Sequence, residues 1–148
     1  MEKLSEEELK SCLEQREKGE LLDLRERELE PMDLTGWDLR SVDFSLSSFQ
    51  NVILNEADFT GSSVENALFD GCPMKEACFQ NVNMKTASFR YCDMRKCNIK
   101  GADLFGAVLE YADLTGIISD EETKWFRLHC PEKGAFLGYK KCFNNRLV

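Results

Sequence analysis

Ala102-Asp103-Leu104-Phe105-Gly106, Ala107-Val108-Leu109-Glu110-Tyr111 and Ala112-Asp113-Leu114-Thr115-Gly116 are three successive copies of one five-residue unit. Each copy holds a small residue, a polar or modest residue, a large apolar residue and two further positions. Counting outward in steps of five from Leu104 gives Leu24, Leu29, Leu34, Leu39, Phe44, Phe49, Leu54, Phe59, Val64, Phe69, Met74, Phe79, Met84, Phe89, Met94 and Ile99 below it, and Leu109 and Leu114 above. All nineteen are apolar. With apolar residues at 43% of the chain, such a run arises by chance on the order of 10⁻⁷ per frame.

A period of five is neither the helical 3.6 nor a plain strand's 2. Positions i−2 and i of each unit lie two apart, so a short extended segment points both the same way. The following two residues turn the chain, with Thr35-Gly36, Thr60-Gly61, Asp70-Gly71, Lys100-Gly101 and Thr115-Gly116 as turn formers. Four such corners close a square, so twenty residues make one coil. Interior columns follow: Leu29, Phe49, Phe69, Phe89 and Leu109; Leu34, Leu54, Met74, Met94 and Leu114; Leu39, Phe59, Phe79 and Ile99. Nineteen units are just under five coils, stacked at about 4.8 Å over roughly 23 Å. From Ala57 on, position i−2 is small or modestly apolar (Ala57, Ser62, Ala67, Cys72, Ala77, and so on), which lets large residues fill the axis.

This pattern strongly resembles the pentapeptide-repeat family, whose unit reads A(D/N)LXX. Ala57-Asp58-Phe59-Thr60-Gly61 and the two Ala-Asp-Leu units above carry the match, which extends over about Leu22–Gly116. The resemblance implies an all-β solenoid, a right-handed quadrilateral β-helix. Leu22, Arg27, Met32 and Trp37 stand where the family has small residues, so the first coil is expected to be irregular or to open toward a cap.

The ends need covers. Ser5 with Glu8 forms a capping box, with Leu4 and Leu9 as its staple, ahead of a helix over about 6–18. Ser119 with Glu122 repeats the signature ahead of a helix from about Asp120 to His129, stopped by Pro131. The organisation expected is an N-terminal capping helix in 1–21, repeats in 22–118, a C-terminal helix in 119–130 and a short extended or hairpin tail in 131–148. Asn144-Asn145 is the candidate hairpin turn. The stretch from Pro131 to Cys142 resembles a small module that follows pentapeptide repeats in some bacterial and phage proteins, and carries no known chemistry.

The 148 residues carry a net charge of −8. Residues 1–70 hold 18 acids and 7 bases, net −11; residues 71–148 hold 9 acids and 12 bases, net +3. An acidic total argues against wrapping nucleic acid. No apolar run reaches the ~20 residues of a membrane span, and the first ten residues contain no signal-like stretch, so a cytoplasmic location is expected. Seven cysteines then read as reduced thiols. Cys72 and Cys92 are expected to stack as small hydrophobes, with Cys97 in the same role and Cys78 outward.

No nucleophile, base and orienting group come together, and a single histidine, His129, excludes multi-histidine metal sites. His129, Cys130 and Cys142 match structural zinc spacing poorly. The reading is of a non-enzymatic protein with no metal and no cofactor. Asp or Asn at position i−1 fits either an acidic stripe or a corner bond to backbone. The other excess acids, Glu26, Glu28, Glu30, Glu56, Glu65 and Asp70, are the candidates for binding a partner. Leu68, Tyr91, Val108 and Tyr111, outward on the Phe49–Phe69–Phe89 side, are candidates for an apolar interface.

Characterised pentapeptide-repeat proteins include inhibitors and protectors of DNA gyrase and topoisomerase IV that mimic DNA. The resemblance therefore implies a protein partner, a DNA-handling enzyme, engaged through the acidic first coils. The alternative is a scaffold that binds a partner through an apolar face. Family inhibitors often dimerise through a C-terminal helix, which makes Trp125 and Phe126 dimer candidates.

Overall fold

The computed structural model describes residues 1–125, together with the backbone of two short strands near the C-terminus. Its elements are β1 (Glu2–Leu4), α1 (Glu6–Glu14), β2 (Leu22–Asp23), β3 (Arg27–Leu29), β4 (Val42–Asp43), β5 (Cys142–Phe143) and β6 (Arg146–Leu147). Between and beyond the first strands the chain is a ladder of single parallel bridges.

Those bridges fix the coil. Asp38, Asp58, Cys78, Asn98 and Ile118 pair in turn at intervals of twenty, as do Glu28, Ser48, Leu68, Ser88 and Val108. Every bridging residue occupies position i−1, so its backbone joins neighbouring coils while its side chain faces out. Positions i−2 and i face in and are buried from Val42 to Leu114. The ladder of the Leu54 face has no bridge between Ile53 and Pro73, where proline has no N–H to donate.

The corners are uniform. At position i+2 every residue from Gly36 to Gly116 has a φ between +56 and +77°. The N–H of the following residue donates to the carbonyl of the central one, as in Val52 to Phe49 at 3.0 Å. A positive φ at the third residue only, closed by that bond, is a type II turn. Glycine and asparagine suit it, yet Leu46, Thr86, Tyr91 and Tyr111 also adopt it. A second bond braces many corners: Asp58 Oδ1 accepts from the Thr60 N–H at 2.9 Å, and Asp33, Asp43, Asn83, Asp103 and Asp113 repeat the contact.

The axis is filled by two phenylalanine stacks. Phe49, Phe69 and Phe89 lie at ring separations of 4.4 and 4.9 Å, and Phe59 and Phe79 at 5.0 Å. Edge contacts join the stacks, as between Phe69 and Phe79 at 6.5 Å. Position i−2 donors lock adjacent coils from inside: Ser62 Oγ donates to the Leu39 carbonyl at 2.8 Å, and the thiols of Cys72, Cys92 and Cys97 donate to the carbonyls of Phe49, Phe69 and Met74.

The ends differ from the sequence reading. The Ser5–Glu8 capping box forms, but α1 stops at Glu14 and does not reach residue 18. Residues 2–4 are not part of a helical cap: β1 pairs in parallel with β3, Lys3 opposite Glu28. This adds a partial layer below the first coil, and Leu4 and Leu9 join the core cluster. The first coil, expected to be irregular or to open toward a cap, keeps the twenty-residue register at Asp23, Glu28, Asp33 and Asp38.

At the other end no helix starts at Asp120. The Asp120 carboxylate instead accepts from the Glu122 and Thr123 N–H groups, and Lys124 pairs with Asp103. Pairing shifts to an interval of twenty-one, because this corner carries one extra residue. Trp125 thereby takes the central position of a further unit and packs, half-buried, against the core. β5 and β6 pair antiparallel, Cys142 opposite Leu147. Phe126, His129, Cys130, Pro131 and Asn144-Asn145 lie outside the described residues.

Candidate protein-interaction surface

The aspartates of position i−1 serve the corners first and are matched by arginines at i+1. Arg40 pairs with Asp38 at 2.9 Å in its own unit and approaches Asp58 of the next coil at 3.8 Å. Arg25 does the same with Asp23 and Asp43, and Arg95 with Asp93 and Asp113. Three guanidinium clamps thus bind six carboxylates across coil boundaries. Arg25 holds the Asp23 carboxyl down at about 2, and Arg40 with Arg16 holds Asp38 well below the usual carboxylate range. Of the two readings of these aspartates, the corner bond is made at each; the charge is largely compensated where a clamp is present.

The six other candidate acids separate into two groups. Glu26, Glu28, Glu30 and Glu56 are exposed, and no ion pair among the described residues engages them. Glu65 and Asp70 are half-buried and tie coils together. Glu65 accepts from Asn83 Nδ2 at 3.0 Å; Asp70 Oδ1 accepts from Ser88 Oγ and the Arg90 N–H. Sequence counting could not separate the two groups, because the partner sits one coil away.

Glu28 lies on the Phe49 face in the same ladder as Ser48, Leu68, Ser88 and Val108. Glu26 and Glu30 flank it at the two corners of the first coil, with Lys3 one layer below. Leu68, Tyr91 and Tyr111 are exposed and Val108 is half-buried. The Tyr91 and Tyr111 rings stack at 4.9 Å with planes 7° apart, on the corner that borders this face. Beside them Arg90 pairs with Glu110 at 3.2 Å. The four expected apolar residues therefore share one side of the solenoid, above the acidic row. Phe105, also exposed, turns the other way and lines a groove with Lys85, Lys124 and Trp125.

Cys72, Cys92 and Cys97 face the interior and offer no chemistry to a ligand. Burial pushes the Cys72 and Cys97 thiols up to about 12 and Cys92 higher still, and all three are free. Among the described residues no cluster of His, Cys, Asp and Glu is placed to hold a metal ion, and no helix is long and apolar enough to cross a membrane.

A parallel ladder with a fixed coil length, type II corners and a packed axis defines a β-helical repeat solenoid. The signature of pentapeptide repeats matches in eight copies over residues 32–66, 53–90 and 83–118. The chain belongs to the pentapeptide-repeat family, whose members are right-handed quadrilateral β-helices. Among curated proteins, no sequence matches it. Among solved structures it is similar to a pentapeptide repeat protein from the thylakoid lumen of Arabidopsis thaliana, at 24% identity and a TM-score of 0.53. That alignment covers 60% of this chain and 65% of the plant protein, less than two thirds of its length, and shows the fold. Lower-scoring matches include Rfr23 from the cyanobacterium Cyanothece 51142 (28% identity, TM-score 0.32, covering 74% and 68% of the two chains). Another is QnrB1, a plasmid-mediated fluoroquinolone resistance protein (16% identity, TM-score 0.30, covering 78% and 67%).

Proposed function

We propose that the protein is a non-enzymatic protein-binding module whose acidic first coils dock on the basic nucleic-acid groove of a DNA-handling protein, as a DNA mimic. The observation that carries this reading is the net −11 of residues 1–70, gathered at one end of a stiff rod. Those residues span four layers on the Phe49 face, from Lys3 to Leu68, or about 14–19 Å. Duplex DNA carries about one charge per 1.7 Å, so about 8–11 over that length. The count of −11 already includes Arg16, Arg25, Arg27 and Arg40, so the clamps do not remove the match in charge density. Glu26, Glu28, Glu30 and Glu56 present the uncompensated part. Free buried thiols fit a reducing compartment such as the cytoplasm.

A second reading, a scaffold that binds through Leu68, Tyr91, Val108 and Tyr111, is favoured by the exposed tyrosine stack. Gyrase supercoiling and binding to a panel of DNA-handling proteins across a salt series separate the two. Mimicry predicts affinity that falls steeply with salt and after neutralising Glu26, Glu28, Glu30 and Glu56. A salt-insensitive interaction lost on Tyr91→Ala and Tyr111→Ala selects the scaffold.

A further inference from the structure

One rigid ladder on the Phe49 face holds Glu28, Leu68 and Val108, and the corners beside it carry Glu26, Glu30, Tyr91 and Tyr111. Glu28 and Val108 lie four coil steps apart in it, about 19 Å along the axis. We infer that this face is a single bipartite docking surface for a protein partner that carries an apolar knob and, about 19 Å away, a cluster of arginines or lysines. The inference rests on the acidic-end reading above and extends it to the far end of the same face.

Three observations fix the kind of partner. The apolar part, Val108 and the Tyr91–Tyr111 stack, sits in the upper coils with Leu68 midway along the ladder, next to an Arg90–Glu110 pair that balances its own charge. It asks for apolar contact and not for charge. The lower end holds Glu26, Glu28 and Glu30, with Lys3 opposite Glu28 and Arg27 paired to Glu2, and complements a basic surface. The span between them cannot adjust, because the phenylalanine stacks and inter-coil bonds hold the coils at fixed spacing. A ligand matched to that spacing gains from both ends at once; a mismatched one gains from one.

The test uses the full chain and synthetic helical peptides as rulers. One peptide carries three arginines and a Trp-Leu pair about thirteen residues apart, about 19 Å. A second halves the separation, and two more carry each half alone. The matched ruler is expected to bind about a hundredfold tighter than either half. That advantage should vanish in Tyr91→Ser/Val108→Ser and in Glu28→Gln/Glu30→Gln. A matched ruler no tighter than the arginine half overturns the bipartite surface while leaving the acidic-end reading standing. An arginine half that fails to bind at low salt overturns both. Protection of Tyr91 from nitration in the free full chain, read by mass spectrometry, would show the apolar end covered by the chain itself and overturn the proposal as well.

Discussion

The Arg16 guanidinium donates to the backbone carbonyl of Arg40 at 2.7 Å and reaches the Asp38 carboxylate at 3.2 Å, while its Nε donates to the Leu13 carbonyl. Arg40 lies in the first coil, where no layer below supplies an N–H for that carbonyl. One side chain thus substitutes for a missing coil and fastens the end of α1 to the solenoid. Arg16→Ala should cost about 1 kcal/mol. Arg16→Lys should recover only part of it, since an ammonium cannot reach all three acceptors in a fork. Denaturant unfolding of the three proteins measures this.

Leu46 holds a φ of +64° with its side chain half exposed. Asparagine tolerates that conformation better than leucine. Leu46→Asn should stabilise the protein by about 1 kcal/mol in thermal or denaturant unfolding.

Gly101 is the opposite case. Its φ is +68°, and an added Cβ would collide with Asn81 Oδ1 in the coil below. Gly101→Ala should cost about 2 kcal/mol. Pairing it with Asn81→Gly should return part of that loss, leaving the backbone strain alone, and a double-mutant cycle separates the two costs.

The thiols of Cys72, Cys92 and Cys97 should resist alkylation in the native state while Cys12 and Cys78, both half-buried, react first. Site-resolved mass spectrometry after brief iodoacetamide treatment reads the difference. Cys92→Ser should fold, because Ser47 and Ser62 make the same hydrogen bond from the same position of the unit.

The clamped aspartates predict an acid limb. Asp23, Asp38 and Asp93 all have carboxyls held below their ordinary values by Arg25, Arg40 and Arg95. A carboxyl lowered in the folded state contributes stability above its unfolded value, near 4, and loses it as pH falls through the folded value. Melting temperature should therefore fall between about pH 4 and pH 2. In Asp38→Asn that fall should be shallower.

The repeated part of the fold was legible because each unit restates the same constraint: a buried Phe79 or Met84 at every fifth place admits no other winding. Legibility stopped where the period changed by one residue or was interrupted. β1 sits twenty-five residues below its partner because α1 is inserted between them; Leu4 keeps the phase of Leu24, but the apolar run is broken between them at Gly19 and Glu14. Ser119 and Glu122 look like a capping box, but Asp120 bonds to Glu122 and Thr123 and turns the chain back onto Asp103. At the surface, periodicity placed Leu68, Tyr91, Val108 and Tyr111 on one side. It could not tell Glu65, bonded to Asn83 one coil on, from Glu56, which stays exposed.

The central claim is that charge at the acidic end drives partner binding. Its most direct test is the salt dependence of affinity for a DNA-binding domain of gyrase or of another panel protein, for the full chain and for Glu26→Gln/Glu28→Gln/Glu30→Gln. Mimicry predicts binding that competes with duplex DNA, a steep fall of log affinity with log salt, and a visibly shallower slope in the variant. Equal slopes for the two proteins, or binding that leaves the duplex undisturbed, would contradict it.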